Sequence, residues 1–340
     1  ILKELLKAGV DVQEQDGDCH EQTALHCAAA AGSDAVVRAL TLAGASMDMM
    51  DTRGRTPLHN ACINGHRGVV AFLLMMGACA QGESTEKEPP LHLAAIHNHH
   101  GVIEDLLAFS NVSIGRNDMR GRSGTPLHVA AEYGRVEACV ALLRGGAEVR
   151  PACSSGMTCL DVAASSGHTG QLLQILATAE ATQVQRRLCS KALRHAIGSN
   201  KADTISDLVA LGADVEYHRG GEHPNLHAAV LRCANDATEA LLRAGANVEA
   251  RPSGSTPLHL ACTQPLPSMV QLLLHWGADE YAPDSDGSTP SVVVGIHAPS
   301  IDGELQPEEF LDQQLAAQTI QGMLEKAPAD RSWRRRGWLV

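Results

Sequence analysis

The chain has 340 residues, a formal net charge of −12 at neutral pH, 44% hydrophobic residues and only 3% aromatic residues. An acidic chain lacks the broad positive surface that neutralises phosphates, so nucleic acid is not expected as its main partner. No apolar run approaches 18 residues, so a membrane span is not expected either.

A short motif recurs along the chain. Thr-Pro-Leu-His stands at Thr56–His59, Thr125–His128 and Thr256–His259, with variants at 23–26, 89–92 and 224–227. The histidine slot falls at positions 26, 59, 92, 128, 161, 194, 227, 259 and 292. A period of about 33 residues is typical of stacked repeats, in which each repeat buries its apolar face on its neighbours.

The best-preserved repeat begins at Thr125, whose hydroxyl suits a helix N-cap, while Pro126 suits the first turn. Small residues follow up to Gly134, which ends this first helix. A second helix is predicted from Val136 to Leu143, because apolar residues recur there at helical spacing, and glycines then end it.

Along residues 1–290 these motifs resemble the ankyrin repeat family. The matching features are Thr-Pro-Leu-His-x-Ala-Ala, Gly-His at Gly65-His66 and Gly167-His168, and Leu-Leu-x-x-Gly-Ala at Leu241–Ala246 and Leu273–Ala278. The resemblance implies an all-α solenoid of about nine helix–turn–helix repeats. Short β-turn segments, here called fingers, connect the second helix of each repeat to the first helix of the next.

In chain order, residues 1–21 are interpreted as a truncated half-repeat and residues 22–287 as eight repeats. Residues 288–326 are expected to form a degenerate capping repeat with a helix over Glu308–Leu324, and residues 327–340 a basic tail containing tryptophan. The tail is interpreted as the start of further sequence, or as a contact for acidic lipid or nucleic acid. Repeat three carries three extra residues, which we expect to be split between the turn at 98–100 and the finger at 111–124.

The junction between repeats five and six departs from the pattern. Ala177–Cys189 contains no glycine or proline and is rich in helix formers. We expect the second helix of repeat five to continue through it, the finger to be lost, and the weakest joint of the array to lie near residues 177–200.

Several residues invite a chemical reading. The resemblance to the ankyrin repeat family implies that the recurring histidines have a structural role. His97, His99 and His100 are a zinc candidate, although a solvated turn fits better because no cysteine or acid stands at ligand spacing. Asp302-Gly303-Glu304-Leu305 with Glu309 resembles half of a calcium loop, but an acidic loop is favoured because the first ligand is missing. No catalytic or phosphate-binding motif is present, so we expect a non-enzyme without cofactor or metal.

The resemblance implies a protein partner, bound on a concave surface made of fingers and first helices. Loops on a rigid scaffold can vary without loss of core stability, and exposed Met, Tyr and Arg are enriched in interface hot spots. The predicted partner-binding residues are Met49, Met50, Arg53, Ile63, Asn64, Arg116, Met119, Arg120, Glu132, Tyr133, Tyr217 and His218. The asparagine that the family often carries before a finger, a hydroxylation site, is replaced here by Gln13, Asp48, Arg150, Glu216 and Glu249.

The sequence therefore favours a protein-interaction scaffold or adapter, expected to be monomeric. The alternative is the substrate-recognition arm of a larger enzyme or ubiquitin-ligase complex, and calcium regulation is a third hypothesis. Ten cysteines without disulfide-type spacing favour a reducing compartment, so we expect a cytoplasmic protein that can also enter the nucleus.

Overall fold

A computed structural model of the chain describes residues 9–17, 20–81, 88–109, 112–115, 124–150, 153, 155–168, 170–178, 182–218, 223–252, 254–294 and 307–334. The chain divides into two compact units, Ile1–Thr182 and Gln183–Val340, here called the N-terminal and C-terminal units. The boundary falls inside the segment where the sequence predicts a weak joint, and its weakness stays a prediction.

The described part of the N-terminal unit stacks five helix pairs. The first finger is a short hairpin in which β1 (Gln15–Asp16) pairs antiparallel with β2 (Gln22–Thr23), with Gln15 opposite Thr23. The helices are α1 (Ala24–Ala30), α2 (Asp34–Leu42), α3 (Pro57–Asn64), α4 (Arg67–Met75), α5 (Pro90–Ile96), α6 (His100–Ala108), α7 (Pro126–Glu132), α8 (Val136–Arg144), α9 (Cys159–Ser166) and α10 (Gln171–Thr178). First helices pack on first helices of the next repeat, and second helices on second helices.

Among its described residues, the C-terminal unit contains three helix pairs and one long final helix. These are α11 (Thr182–Gly198), α12 (Ala202–Ala210), α13 (Asn225–Leu231), α14 (Asn235–Arg243), α15 (Pro257–Thr263), α16 (Pro267–His275) and α17 (Pro307–Arg334). The first residue of α11, Thr182, is the last residue of the N-terminal unit.

The core comes from the recurring motif. Its leucine is buried in every repeat where the motif is well formed, and small residues after it let neighbouring first helices approach closely. The leucines are Leu25, Leu58, Leu91, Leu127, Leu160, Leu226 and Leu258. Buried cysteines belong to this core: burial raises the pKa of Cys139 and of Cys262 to about 12, so these thiols behave as small apolar side chains.

The three extra residues of repeat three are not split as expected. The turn between α5 and α6 has the same length as the turn between α3 and α4, because Pro90 to His100 and Pro57 to Arg67 are equally spaced. All three extra residues therefore lie between α6 and α7, in the longer connection that begins at Phe109.

The helix at the irregular junction is longer than the other first helices. The described part of α10 reaches Thr178 and that of α11 starts at Thr182, while residues 179–181 lie outside the described residues. The first helix of repeat six therefore extends backwards into the place of a finger, and whether α10 runs on into it stays a prediction. Cys189, Ala192 and Leu193 are buried along it, so its apolar stripe continues into the extension.

Towards the end of the chain, residues 290–294 form turns, and residues 295–306 lie outside the described residues. The final helix, α17, packs on α16 through a face that includes Ile320, Leu324 and Ala327, as expected for a capping element. It continues to Arg334 and so crosses the expected boundary at residue 327 without a break. The calcium-like segment at 302–306 and the end of the basic tail at 335–340 lie outside the described residues.

Candidate functional site

Where the recurring motif is complete, its threonine and histidine fix the start of the first helix. In the first repeat the Thr23 N–H donates to Nδ1 of His26 at 3.1 Å, and Nε2 of His26 donates to the Arg55 carbonyl at 2.9 Å. The same Nε2-to-carbonyl bond joins His92 to Gly124, His128 to Met157, His227 to Ser255 and His259 to Ser288. In His26, His128 and His259 the Nδ1 atom also accepts the N–H of the motif threonine, so both nitrogens of these three rings form structural bonds.

Two repeats that lack the histidine each keep one of its two bonds. Repeat five keeps the bond to its own helix start, and repeat six keeps the bond to the next repeat. In repeat five Asp161 replaces the histidine, and its carboxylate accepts the Thr158 N–H at 2.8 Å. In repeat six Arg194 donates to the His223 carbonyl at 2.7 Å, across the same 29-residue separation as His26 and Arg55. The loss of the motif in repeat six therefore does not remove its bond to repeat seven.

A second ladder holds the C-terminal ends of the first helices in the N-terminal unit. Four side chains at the start of the second helices each donate to a carbonyl at the end of the first helix of the preceding repeat. The pairs are His66 to Ala30, His99 to Ile63, Arg135 to Ile96 and His168 to Glu132, at 2.7 to 2.9 Å. We call these bonds the clamp.

The clamp explains the Gly-His signature. Gly65 has a positive φ of 75°, and a Cβ there would come within 2.5 Å of the His99 ring. Gly134 is related to His168 in the same way, at 2.7 Å. Glycine is needed at these positions both for the left-handed backbone and for the space that the ring occupies.

The clamp also gives a structural role to one residue of the histidine cluster at 97–100. His99 is a clamp residue, bonded to a neighbouring repeat rather than exposed in a solvated turn, and His97 stacks on it with ring centroids 6.1 Å apart. Within the described part of the chain, no three His, Cys, Asp or Glu side chains are placed to hold a metal ion.

A third ladder joins consecutive fingers. In each case a side chain in one finger accepts the N–H of the residue that follows Gly-Ala in the next repeat. The pairs are Gln13 with Ser46, Asp48 with Cys79, Glu216 with Asn247, and Glu249 with Asp279, at 2.7 to 3.1 Å. The residues that replace the family's asparagine at positions 13, 48, 216 and 249 thus carry a structural bond.

Seven of the predicted partner-binding residues lie at three places in the N-terminal unit. Met49, Met50 and Arg53 are on the finger before α3, and Met50 is 50% exposed. Ile63 and Asn64 end α3, while Glu132 ends α7 and is followed by Tyr133, which is 50% exposed. The clamp bonds the carbonyls of Ile63 and Glu132, so these helix ends have a fixed backbone beneath their side chains.

The remaining predictions are not part of that surface. Tyr217 is half-buried and His218 exposed in the C-terminal unit, on the finger that follows α12. Arg116, Met119 and Arg120 lie outside the described residues, so the basic finger stays a sequence prediction.

Positive charge gathers around His97. Desolvation lowers the pKa of this histidine, and the nearby charges of His99, Arg135 and Arg55 lower it further. Three consecutive repeats contribute these groups, so two arginines act on one histidine although the whole chain is acidic. Sequence reasoning missed this cluster, because only the stacking of repeats brings Arg55 and Arg135 to the same histidine.

No helix among the described residues combines the length and the apolar character that crossing a membrane requires.

The repeats match a known protein family along most of the chain. A family model described as ankyrin repeats (3 copies) matches residues 1–83, 36–118, 91–187 and 193–284. The gap between the last two matches, 188–192, falls inside α11, where the finger is absent.

Three curated relatives are similar to parts of the chain. Human protein phosphatase 1 regulatory subunit 27 is 36% identical over 77 residues, which are 21% of this chain and 50% of that protein. The BTB/POZ domain and ankyrin repeat-containing protein NBCL of Lupinus angustifolius is 35% identical over 101 residues, 29% of this chain and 20% of that protein. The BTB/POZ domain and ankyrin repeat-containing protein NPR5 of Oryza sativa subsp. japonica is 44% identical over 68 residues, 19% and 13% of the two chains. The chain thus spans half or less of each relative's length.

Proposed function

The chain belongs to the ankyrin repeat family, whose repeats form protein–protein interaction domains, and from this premise we propose that it is a non-enzymatic scaffold or adapter. Its partner is a protein, held by the fingers and first-helix ends of the N-terminal unit. The observation that carries the proposal is the pairing of exposed side chains with a clamped backbone at those helix ends.

A rigid base favours binding because less conformational freedom is lost when a partner docks. Tyr133 directly follows Glu132, whose carbonyl accepts from His168 at 2.7 Å, and half of the Tyr133 surface faces solvent. Exposed Tyr and Met on a fixed backbone have the properties of interface anchors.

The charge at this surface indicates the partner's chemistry. The positive charges of Arg55 and Arg135 both act on His97, and Arg135 lies two residues after the predicted contact residue Tyr133. Complementary charge contributes mainly to specificity and to the association rate. The partner segment is therefore expected to be acidic or of mixed charge.

A second candidate function is the recognition arm of a larger enzyme or ubiquitin-ligase complex. It is favoured by the relatives, since one is named a phosphatase regulatory subunit and two combine ankyrin repeats with a BTB/POZ domain. Their names apply to those proteins, and the chain matches only part of each.

The proposal is tested by affinity capture with three baits, namely the wild type, Met50→Ala with Tyr133→Ala, and a control with Leu42→Ala and Met75→Ala. The control removes two side chains that are 78% and 65% exposed at the ends of second helices. We expect a protein captured by the wild type and the control to be lost with the Met50 and Tyr133 variant. With that protein purified, the dissociation constant should rise at least about tenfold.

Equal capture by all three baits would show that this surface does not bind the partner. Phosphatase or ligase subunits retained by every bait would support the recognition-arm function instead.

A further inference from the structure

A cleft of about 550 Å³ opens in the C-terminal unit, where repeat six lacks a preceding finger. Its lining consists of Arg186, Arg187, Ser190, Gly212, Asp214 and Tyr217. The first three belong to α11 and the last three to the loop that follows α12.

The missing finger accounts for the cleft. In other repeats the residue after Gly-Ala donates its N–H to a side chain of the preceding finger, as Cys79 does to Asp48. In repeat six this residue is Asp214, and its N–H donates instead to the Ser190 hydroxyl of α11 at 2.9 Å. A helix thus replaces a finger in the ladder, and the arginines of that helix line the space beside it.

The charge of α11 is opposite to that of the chain. The helix contains four lysines and arginines and no acid, in a protein with a net charge of −12. Arg186 and Arg187 are exposed, and neither guanidinium forms an ion pair or hydrogen bond with another residue in the described part of the chain.

The acids nearby are engaged by the backbone. Asp214 accepts the Glu216 N–H at 3.0 Å, and Glu216 accepts the Asn247 N–H at 2.8 Å. The aliphatic part of Arg186 passes close to Gly212, where a Cβ would meet its Cγ at 3.7 Å. Arg186 thus lies beside Gly212 in the lining of the cleft and is exposed to solvent.

We propose that this cleft binds an acidic segment of a protein partner. Carboxylates of the segment pair with the guanidinium groups of Arg186 and Arg187, which suit bidentate binding. Tyr217 packs against the aliphatic part of the segment. The inference rests on the proposed function, because it assigns a second contact to the same class of partner.

The test uses a fluorescein-labelled octaglutamate peptide and fluorescence anisotropy on the full chain at low salt. Arg186→Gln with Arg187→Gln is compared with Arg144→Gln plus Arg243→Gln, which makes the same change in net charge at the ends of α8 and α14. We expect the wild type and the control to bind with similar affinity and the cleft variant to bind at least about tenfold more weakly. Tyr217→Ala should also weaken binding, and added salt should weaken binding to the wild type.

The proposal is overturned if the wild type does not bind octaglutamate saturably, or if the control loses as much affinity as the cleft variant. Wild-type binding to anionic vesicles but not to octaglutamate would assign the cleft to lipid and would overturn it too. In each of these cases, partner capture that still depends on Met50 and Tyr133 leaves the proposed function standing, which separates the two failures.

Discussion

At the scale of single residues, the buried histidines hold the repeats together in their neutral form. Nδ1 of His26 accepts a backbone N–H and Nε2 donates to a carbonyl, which only the neutral ring can do. Burial lowers the pKa of His26 and of His227, against the smaller opposing effect of their carbonyl bonds.

These lowered pKa values predict a stability that depends on pH. In the unfolded chain the same histidines titrate near 6.5. The unfolded state therefore binds more protons in mild acid, and the free energy of unfolding falls as the pH drops below about 6.5 and through the folded pKa. Urea denaturation at several pH values between 8 and 5 measures this fall. His26→Gln should reduce the slope, and a slope that this variant leaves untouched contradicts the prediction.

The clamp predicts that alanine substitution lowers stability by different amounts at two glycines whose backbones are both left-handed. Gly65 and Gly77 have φ values of 75° and 95°, but only Gly65 has a ring, that of His99, against its Cα. Gly77→Ala should cost about 1 kcal/mol for the left-handed conformation alone. Gly65→Ala should cost about 1–3 kcal/mol more, because the His99 ring must move. Chemical denaturation of the two variants measures both, and equal costs would mean that the ring moves freely.

At the scale of elements, the extension of α11 depends on its bond to the following loop. Ser190 is buried, donates to the Arg186 carbonyl and accepts the Asp214 N–H. The helix therefore continues without a finger because one of its own side chains supplies the acceptor that a finger would supply.

Ser190→Ala should therefore destabilise the C-terminal unit by about 1–3 kcal/mol, since it leaves the Asp214 N–H without this acceptor. Ser206→Ala is the matched control, because the Ser206 hydroxyl also donates four residues back, to Ala202, but is exposed. The control should change stability by no more than about 0.5 kcal/mol. Similar costs in thermal unfolding would show that the bond to the loop contributes little.

The repeat period was sufficient to predict the helix pairs, because each motif carries its own start signal, as Thr125 and Pro126 do. The direction of the α11 extension was not predictable, since a run of helix formers does not say to which neighbouring helix it belongs. Contacts between repeats, such as the bond from His99 to Ile63, arise only when residues 36 positions apart are stacked. Exposure at Met50 and Tyr133 agrees with their selection as candidates, whereas their role in binding stays a prediction.

At the scale of the whole molecule, the division into two units coincides with the predicted weak joint. The break falls between Thr182 and Gln183, at the beginning of α11. In an array whose stability is a sum of neighbouring interfaces, the least regular junction is where local opening is easiest.

Hydrogen exchange measures how easily the helices at this junction open. Amides between residues 177 and 200 should exchange faster than those of α5 to α8, the helices of repeats three and four. Exchange that is as slow at the junction as in those helices contradicts the weak-joint prediction.

The ladders have a consequence for synthesis of the chain. The bonds between repeats described above join residues 28 to 39 positions apart, from His227 with Ser255 to Ile96 with Arg135. Such short separations require little loop closure, which favours fast folding. A repeat emerging from the ribosome can complete its bonds as soon as the next 40 residues follow, so the chain can fold from its N-terminal end while translation continues.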